Sequence, residues 1–178
     1  MRHARHHGYP APRVLEVTPD ALILELIEGP TMLDELRRRP WTVRRNARLL
    51  AQLHERLHEI AAPATLPTAG LGDRLLHLDL HPDNIILSPG GPVVIDWTNA
   101  RRGDPALDVA LTWLITATSG NTLARLFLRW FLDRFDHDEL VHALPAAAER
   151  RLADVNVSDR ERRAVGGFMQ DSQRSKRP

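Results

Sequence analysis

The sequence contains 178 residues, 43% of them hydrophobic, which is enough to bury one sizeable core and excludes a large multidomain arrangement. Its 24 basic and 23 acidic side chains leave a formal charge of +1, which excludes the strong overall field that favours nucleic acid or an anionic membrane as a partner. The absence of cysteine excludes disulfides and thiolate sites, and charges interrupt every long apolar run, so we expect a soluble cytoplasmic protein without a membrane span.

Two apolar, β-branched runs come early in the chain, at residues 13–17 and 21–27. The Thr-Pro-Asp between them favours a turn, so the two runs predict a β-hairpin. A Gly-Pro pair follows, and Thr31 is suited to cap a short helix that runs through Arg38. Residues 42–60 predict a longer helix, because their leucines and alanines share one arc, with arginines and glutamates opposite.

The middle of the chain predicts short strands followed by a buried helix. Residues 75–81 alternate between leucines and polar side chains, which is typical of a strand. Residues 85–87 and 93–97 predict a second hairpin, closed by Ser-Pro-Gly-Gly. An Asp-Pro pair then begins a helix over 104–118 that is apolar nearly all round and is therefore expected to be buried.

The last third of the chain predicts two further helices, over residues 122–135 and 138–153. From residue 156 the sequence is charged, contains glycine and has no periodicity, so we predict a mobile tail over 156–178. Together these elements predict an α+β fold that is mostly helical.

Three motifs follow one another in the middle of the chain, HLDLHPDN, IDW and GDPALD. The predicted strands and their loop bring Asp79, Asn84 and Asp96 together. A carboxylate and an amide oxygen suit Mg²⁺, which takes few protein ligands and keeps water and phosphate oxygens as its others. A second carboxylate beside the metal can orient a hydroxyl group and accept its proton as a phosphoryl group arrives.

These motifs resemble those of the aminoglycoside phosphotransferase and choline kinase-like family, which has a protein-kinase-like fold. The resemblance covers about residues 8–118. It implies that the γ-phosphoryl group of ATP or GTP is transferred, with Mg²⁺, to a hydroxyl group of a small-molecule substrate. It also implies that most of this chain is the C-terminal lobe of such a kinase.

The resemblance implies a role for each residue of the motifs. Asp79 corresponds to the catalytic base, and Asn84 and Asp96 correspond to the Mg²⁺ ligands. His77 and Asp108 correspond to supporting residues of the catalytic loop. An aspartate one turn inside an apolar helix needs hydrogen-bond donors in any case, because an unpaired buried carboxylate is costly.

The first hairpin resembles the last strands of a kinase N-terminal lobe. In that family Glu25 to Ile27 would be the hinge whose main chain holds adenine, and Ile86 and Ile95 would form the apolar floor of the purine pocket. An ordinary hairpin and ordinary core positions fit the same residues, so both interpretations stay open.

Parts of a complete family member have no counterpart in this sequence. No glycine-rich loop, strand lysine and helix glutamate precede the hairpin, and the one lysine is Lys176. The resemblance therefore predicts an N-terminally truncated chain, with residues 1–29 as a remnant of the N-terminal lobe and 30–155 as the catalytic lobe. A misplaced start, a decayed gene fragment and a non-catalytic kinase-like binding module remain open explanations.

A competing motif lies in the long helix, where residues 54–58 read HERLH and match the HExxH signature of zinc hydrolases. The glycine and histidine of the extended zinc motif are missing downstream. The family carries a Leu-His pair late in this helix, which implies that His54 is a hydrogen-bonded core histidine. A zinc hydrolase is thus a remote alternative, as is a transition-metal site of His77, Asp79 and His81 on one strand face.

The acceptor is not defined by these motifs. An acidic wall for a cationic aminoglycoside is one hypothesis, and a solvated helix–loop–helix surface is the alternative. Choline-like, sugar and amino-alcohol acceptors also remain open. The acidic side chains concerned are Asp133, Asp136, Asp138 and Glu139.

Overall fold

A computed structural model describes residues 1–155 and 157–174. The helices are α1 (Arg2–His6), α2 (Met32–Arg38), α3 (Val43–His58), α4 (Pro105–Thr118), α5 (Thr122–Leu132), α6 (His137–Ala153) and α7 (Asp159–Arg174). Three antiparallel pairs of strands join β1 (Val14–Val17) to β2 (Leu22–Leu24), β3 (Arg74–Leu76) to β6 (Arg101–Gly103), and β4 (Ile85–Ser88) to β5 (Gly91–Val94). The predicted mostly helical α+β architecture is confirmed.

Helix α4 forms the centre of the packing and contacts α3, α5, α6 and α7. Its first turn is capped by Asp104, whose side chain accepts from the Ala106 amide at 2.9 Å, with Pro105 at the first helical position. The helix is buried on several sides, as its all-round apolar sequence predicts. Truncating one of its buried leucines, such as Leu111 or Leu114, should cost about 2–5 kcal/mol.

Helix α3 packs its apolar face on α5, β3 and α4. Leu50, Leu53 and Leu57 are buried on this face. On the opposite face, Glu55 forms an ion pair with Arg134 at 2.9 Å. The arc predicted from the sequence is therefore the face that α3 buries.

The predicted strand over residues 75–81 is wrong beyond Leu76. Leu78 has a φ of 62°, which turns the chain out of the extended conformation. The physical reason is that the amides of His77 and Leu78 donate to the buried carboxylate of Asp108 instead of to a neighbouring strand. Residues 77–81 therefore form a loop whose alternate side chains do not share a strand face.

The prediction of a mobile tail is also wrong, over residues 159–174, where the chain forms α7. Val165 on this helix is fully buried, and Phe168 lies edge-on to Trp113 with ring centroids 5.9 Å apart. A short apolar stripe in a charged segment gains helical structure by packing on α4 and α6. Residue 156 and residues 175–178, including Lys176, lie outside the described part of the chain.

The first residues pack on the rest of the structure. Ala4 and Tyr9 are buried, and the Val94 amide donates to the Pro10 carbonyl at 2.8 Å. The division into residues 1–29 and 30–155 stays a prediction. Over the described residues, no helix combines the length and the apolarity needed to cross a membrane.

Candidate active site

The loop between β3 and β4 joins Asp79 to Asn84. The Asn84 side-chain amide donates to the Asp79 carbonyl at 2.8 Å and to the Asp79 Oδ2 atom at 3.2 Å. Asn84 closes a short 3-10 turn over Pro82–Asn84, which places its side chain back over the start of the loop. The spacing of the HxDxxxxN motif thus puts these two side chains in direct contact.

Asp96 lies two residues after the end of β5 and is tied to the same loop through its neighbour Ile95. The Ile95 amide donates to the Asn84 carbonyl at 3.0 Å, and the Ile95 carbonyl accepts from His77 Nε2 at 3.0 Å. Asp96 has a φ of 57°, a left-handed conformation that costs about 1 kcal/mol or more for a residue other than glycine. Its exposed carboxylate accepts from Thr98 Oγ1 at 2.6 Å, and within the described chain it makes no hydrogen bond to Asp79 or Asn84.

His77 lies fully buried beneath this junction, with its ring edge-on to Trp97. Because a carbonyl can only accept, the bond to Ile95 shows that Nε2 carries the ring proton. Burial lowers the pKa of His77, and the charge of Asp108 only partly opposes this. A neutral His77 therefore links the loop to the end of β5.

Asp108 is fully buried on α4 and holds the loop from below. Its Oδ1 accepts from the Leu78 amide at 2.7 Å, and its Oδ2 accepts from the His77 amide and from His58 Nε2, both at 3.0 Å. Burial alone would raise the pKa of Asp108, but the hydrogen bond from His58, the electrostatics of the neighbouring histidines and the hydrogen bond from the His77 amide outweigh it and lower that pKa strongly. An ionised carboxylate thus stabilises the left-handed turn at Leu78.

His54 extends the buried network. Its Nε2 atom donates to Thr112 Oγ1 at 3.1 Å, because the Thr112 hydroxyl in turn donates to the Leu80 carbonyl at 2.6 Å. Burial lowers the pKa of His54 to about 3, although the charge of Asp108 opposes the shift. His54 is therefore a neutral, hydrogen-bonded core histidine that connects α3 and α4 to the loop.

In the fold, the two histidines of the HExxH motif lie close to a third possible metal ligand, Asp108. Within residues 1–155 and 157–174, the one group of three side chains that could share a metal ion is His54, His58 and Asp108, whose ligand atoms lie within 4.8 Å of one another. Three N–H donors already occupy the Asp108 carboxylate, and Glu55, the base of a zinc hydrolase, is paired with Arg134 instead. The histidines of the motif serve a hydrogen-bond network.

The chain just after the predicted hinge lies against β4. The Leu87 amide donates to the Pro30 carbonyl at 2.9 Å, and Thr31 bridges to Ile86. At Gly29 a Cβ atom would stand 2.5 Å from the Leu87 carbonyl oxygen, so only glycine permits this approach.

Within the predicted hinge Glu25 accepts from the Arg13 amide at 2.7 Å through its side chain. Ile27, Ile86 and Ile95 are half-buried. The structure therefore brings the chain just after Glu25 and Ile27 close to Ile86, while Ile95 lies one residue before Asp96.

A sequence model of the phosphotransferase enzyme family matches residues 28–143, which include all three motifs. The chain belongs to the phosphotransferase enzyme family. The family predicted from the motifs is thereby confirmed.

Solved structures of phosphotransferases share the fold of this chain. A thermostable mutant of aminoglycoside phosphotransferase APH(4)-Ia, solved as a ternary complex with AMP-PNP and hygromycin B, is similar with a TM-score of 0.72 and 15% identity, over 98% of this chain and 81% of that chain. An ethanolamine kinase of Plasmodium vivax is similar with a TM-score of 0.63 and 14% identity, over 99% of this chain and 72% of that chain. The predicted protein-kinase-like fold is confirmed.

Among curated proteins, a thiamine kinase of Salmonella paratyphi B is 40% identical over 52 residues, which are 29% of this chain and 19% of the relative. A thiamine kinase of Salmonella heidelberg is 49% identical over 39 residues, or 22% of this chain and 14% of the relative. The match to the first of these relatives spans about a fifth of its length.

Two residues that lie beside Asp79, the predicted base, were not assigned that position from the sequence. Asp79 Oδ1 is buried and makes no full hydrogen bond within the described chain, but Arg151 Nη1 and His81 Nε2 each lie 3.5 Å from it. Glu161 on α7 holds the Arg151 guanidinium at 2.7 Å. No local pattern connects Arg151 to the motifs, because only the packing of α6 brings it to the loop.

These neighbours set the protonation of Asp79. Burial would raise the pKa of Asp79, but contact with His81 and then the charge of Arg151 outweigh burial and lower the pKa. The carboxylate is therefore ionised at neutral pH, with one oxygen bonded to Asn84 and the other available.

Proposed function

We propose that the protein is a small-molecule kinase, which transfers the γ-phosphoryl group of ATP or GTP to a hydroxyl group of its substrate. The observation that carries this proposal is the junction of the loop with β5. There the ionised Asp79 keeps one oxygen without a full hydrogen bond, Asn84 lies in contact with it, and Asp96 follows Ile95, whose amide donates to the Asn84 carbonyl.

Asp79 is the proposed base. Its Oδ2 is bonded by Asn84, while its buried Oδ1 can accept the hydrogen bond, and then the proton, of an acceptor hydroxyl. The proton leaves the hydroxyl oxygen as that oxygen bonds to the γ-phosphorus and the bond from phosphorus to the bridging oxygen breaks. Nucleoside diphosphate is the leaving group.

Asn84 and Asp96 are the proposed ligands of Mg²⁺. The Asn84 amide nitrogen faces Asp79, so its Oδ1 atom is the one left to face a cation, and Asp96 offers an exposed carboxylate. An amide and a carboxylate oxygen are the hard ligands that Mg²⁺ prefers. The ion, when bound, neutralises charge on the phosphates.

The nucleotide base is proposed to lie against the hinge. The main chain of Glu25 to Ile27 would bind adenine or guanine, and Ile86 and Ile95 would form the apolar floor. The contact of Pro30 and Thr31 with β4 supports this proposal, because it holds the hinge beside Ile86. Residues 1–29 would then belong to the nucleotide side and 30–155 to the catalytic lobe.

One observation favours a second candidate, a kinase-like module that binds Mg·ATP without turnover. The described residues contain no lysine, since the one lysine of the sequence is Lys176. Phosphoryl transfer depends on neutralising phosphate charge, and a missing lysine should lower the rate by about a thousandfold or more. We therefore propose that this chain, by itself, is an incomplete catalyst.

Turnover and binding separate the two candidates. The purified chain is supplied with Mg·ATP or Mg·GTP and a panel of alcohols, and phosphorylated product and nucleotide affinity are both measured. Asp79→Asn should abolish turnover and leave nucleotide affinity unchanged, whereas Asp96→Asn should weaken Mg·ATP binding. Asp73→Asn, which alters an exposed residue just before β3 and outside the catalytic loop, is the matched control.

A slow turnover that Asp79→Asn removes supports the kinase. Nucleotide affinity without any turnover supports the binding module. Turnover that survives Asp79→Asn unchanged would contradict the proposed role of Asp79.

A further inference from the structure

A cavity of about 350 Å³ lies beside the catalytic loop, enclosed by α2, the 3-10 turn, the end of α4 and the start of α5. This volume is in the range of small-molecule sites. The walls are mostly apolar, and the aliphatic and aromatic side chains that carry the argument are Leu33, Leu36, Pro82, Ile115, Leu123 and Phe127.

The side chain of His81 lies between the cavity and Asp79, the proposed base. His81 forms part of its wall, and His81 Nε2 lies 3.5 Å from Asp79 Oδ1. The Asp83 amide donates to His81 Nδ1 at 3.3 Å, so the ring proton is on Nε2, facing Asp79. The His81 ring is therefore what separates a molecule in the cavity from the oxygen that has no full hydrogen bond.

One polar group in the wall lacks a partner. Thr116 lines the cavity, and its hydroxyl is buried without a hydrogen bond in the described structure. The hydroxyls of Thr112 and Thr118, on the same helix, both bond to main-chain carbonyls. An unpaired buried hydroxyl costs about 1–3 kcal/mol, so Thr116 is suited to bond a group that occupies the cavity.

The charges around the cavity do not favour a polycation. One arginine, Arg37, and one aspartate, Asp83, lie in its lining and offset each other. The acidic side chains Asp136, Asp138 and Glu139 line a separate cavity with Asp104, at the opposite end of α4. Asp104 and Thr116 are separated along the helix by about 18 Å at ~1.5 Å per residue.

The acidic cluster also has a structural explanation. The Asp136 carboxylate accepts from the amides of Asp138 and Glu139, at 2.9 and 3.1 Å, and so caps α6. Asp138 and Glu139 lie in the first turn, where carboxylates stabilise a helix through its dipole.

We infer that the cavity binds the apolar body of the acceptor, so that the substrate is an uncharged hydroxyl compound with a hydrophobic portion rather than a polycationic aminoglycoside. Thr116 orients that body through a hydrogen bond, and the hydroxyl group of the acceptor reaches Asp79 past His81. This inference rests on the proposed kinase function for its chemistry, but the binding it describes needs no nucleotide.

Binding is measured first, without nucleotide, by fluorine NMR titration of the full chain with para-fluorophenethyl alcohol. The wild type should show saturable binding. Leu123→Trp fills the cavity and should weaken that binding about tenfold or more. Leu126→Trp, on the same helix but 42% exposed and outside the cavity, should leave binding unchanged.

A second pair of variants tests Thr116 without changing the volume. Thr116→Val should weaken binding of the probe about fivefold, the equivalent of one hydrogen bond. Thr118→Val is the matched control, because the Thr118 hydroxyl bonds to the Leu114 and Ile115 carbonyls and does not line the cavity. Where the wild type turns over alcohols with Mg·ATP, Leu123→Trp should raise KM about tenfold and preserve kcat.

No saturable probe binding, or equal binding by the two tryptophan variants, would overturn the inference. Tighter binding of hygromycin B than of the probe, lost in a combined Asp136→Asn and Glu139→Gln variant, would overturn the substrate class. Probe binding as expected, with no phosphorylated product from any alcohol, would instead favour the binding module over turnover by this chain and leave the cavity assignment standing.

Discussion

The loop between β3 and β4 has two sides that differ in how far their carboxylates are satisfied by hydrogen bonds. On the inner side, the Asp108 carboxylate receives three full hydrogen bonds, and Thr112 and His54 are bonded to each other. On the outer side, Asp79 keeps one oxygen without a full hydrogen bond and Asp96 carries an exposed carboxylate in a left-handed conformation. The difference indicates that a support centred on the fully bonded Asp108 carboxylate holds the outer groups available for a ligand.

If the inner side carries the stability, Asp108→Asn should have the largest effect. The amide would present N–H groups to the His77 or Leu78 amide or to His58, leaving buried donors without an acceptor. We expect a loss of about 3–5 kcal/mol in the free energy of unfolding, measured by urea denaturation. Asp83→Asn, on the exposed edge of the loop, is the control, and a loss under about 1 kcal/mol for Asp108→Asn would contradict the comparison.

The pH dependence should come from the inner side as well. The folded pKa of His54 is about 3, against 6.5 for an unperturbed histidine, so below pH 6.5 the unfolded chain binds the proton that the folded chain excludes. Stability is fully present above pH 6.5 and falls towards pH 3, by about 1.4 kcal/mol per pH unit for this one group.

The measurement is the urea midpoint at several pH values from about 7 to about 5. His54→Gln, which cannot take up a proton, should flatten the slope relative to the wild type. An unchanged slope in this variant would show that other groups set the pH dependence.

A smaller effect is expected at Thr112. Thr112→Val preserves the shape but removes the acceptor of His54 and the donor to the Leu80 carbonyl. We expect a loss of about 1–3 kcal/mol, checked by thermal or urea unfolding. Thr118→Val, a half-buried position whose hydroxyl bonds within its own helix, should cost less, and an equal loss would argue against a special role for the buried network.

The smallest effect should be found on the outer side, and with the opposite sign. Asp96→Gly relieves the left-handed strain at a φ of 57° and should raise stability by up to about 1 kcal/mol. The same change removes a proposed Mg²⁺ ligand, so Mg·ATP affinity should fall. Thermal unfolding and calorimetric titration of one protein sample would test both parts, and a loss of stability would show that the Asp96 side chain supports the fold.

Local sequence patterns were sufficient for the elements that depend on neighbouring residues. The cap at Asp104, the all-round apolar α4 and the contact of Asp79 with Asn84 all follow from short spacings. The catalytic and metal roles of Asp79, Asn84 and Asp96 stay predictions, since geometry alone does not measure them.

Partners from distant parts of the chain could not be predicted. The bond from His58 to Asp108 and the approach of Arg151 to Asp79 depend on how α3, α4 and α6 pack. The left-handed Leu78 ended a strand pattern that the leucine alternation supported, because a tertiary hydrogen bond took its amide. Helix α7 was not predicted because charged residues dominate its sequence. Its few apolar side chains stabilise the helix only when they pack on α4 and α6.

The ion pair between Glu161 on α7 and Arg151 makes the pKa of Asp79 depend on a helix that is distant from the loop in the sequence. Glu161 fixes the guanidinium, and the guanidinium helps to lower the pKa of Asp79. Sequence changes confined to the last helix can therefore shift the pKa of Asp79 while the motifs stay untouched. Two relatives with identical motifs would then differ in the pKa of this aspartate, and a comparison of the motifs alone would not reveal it.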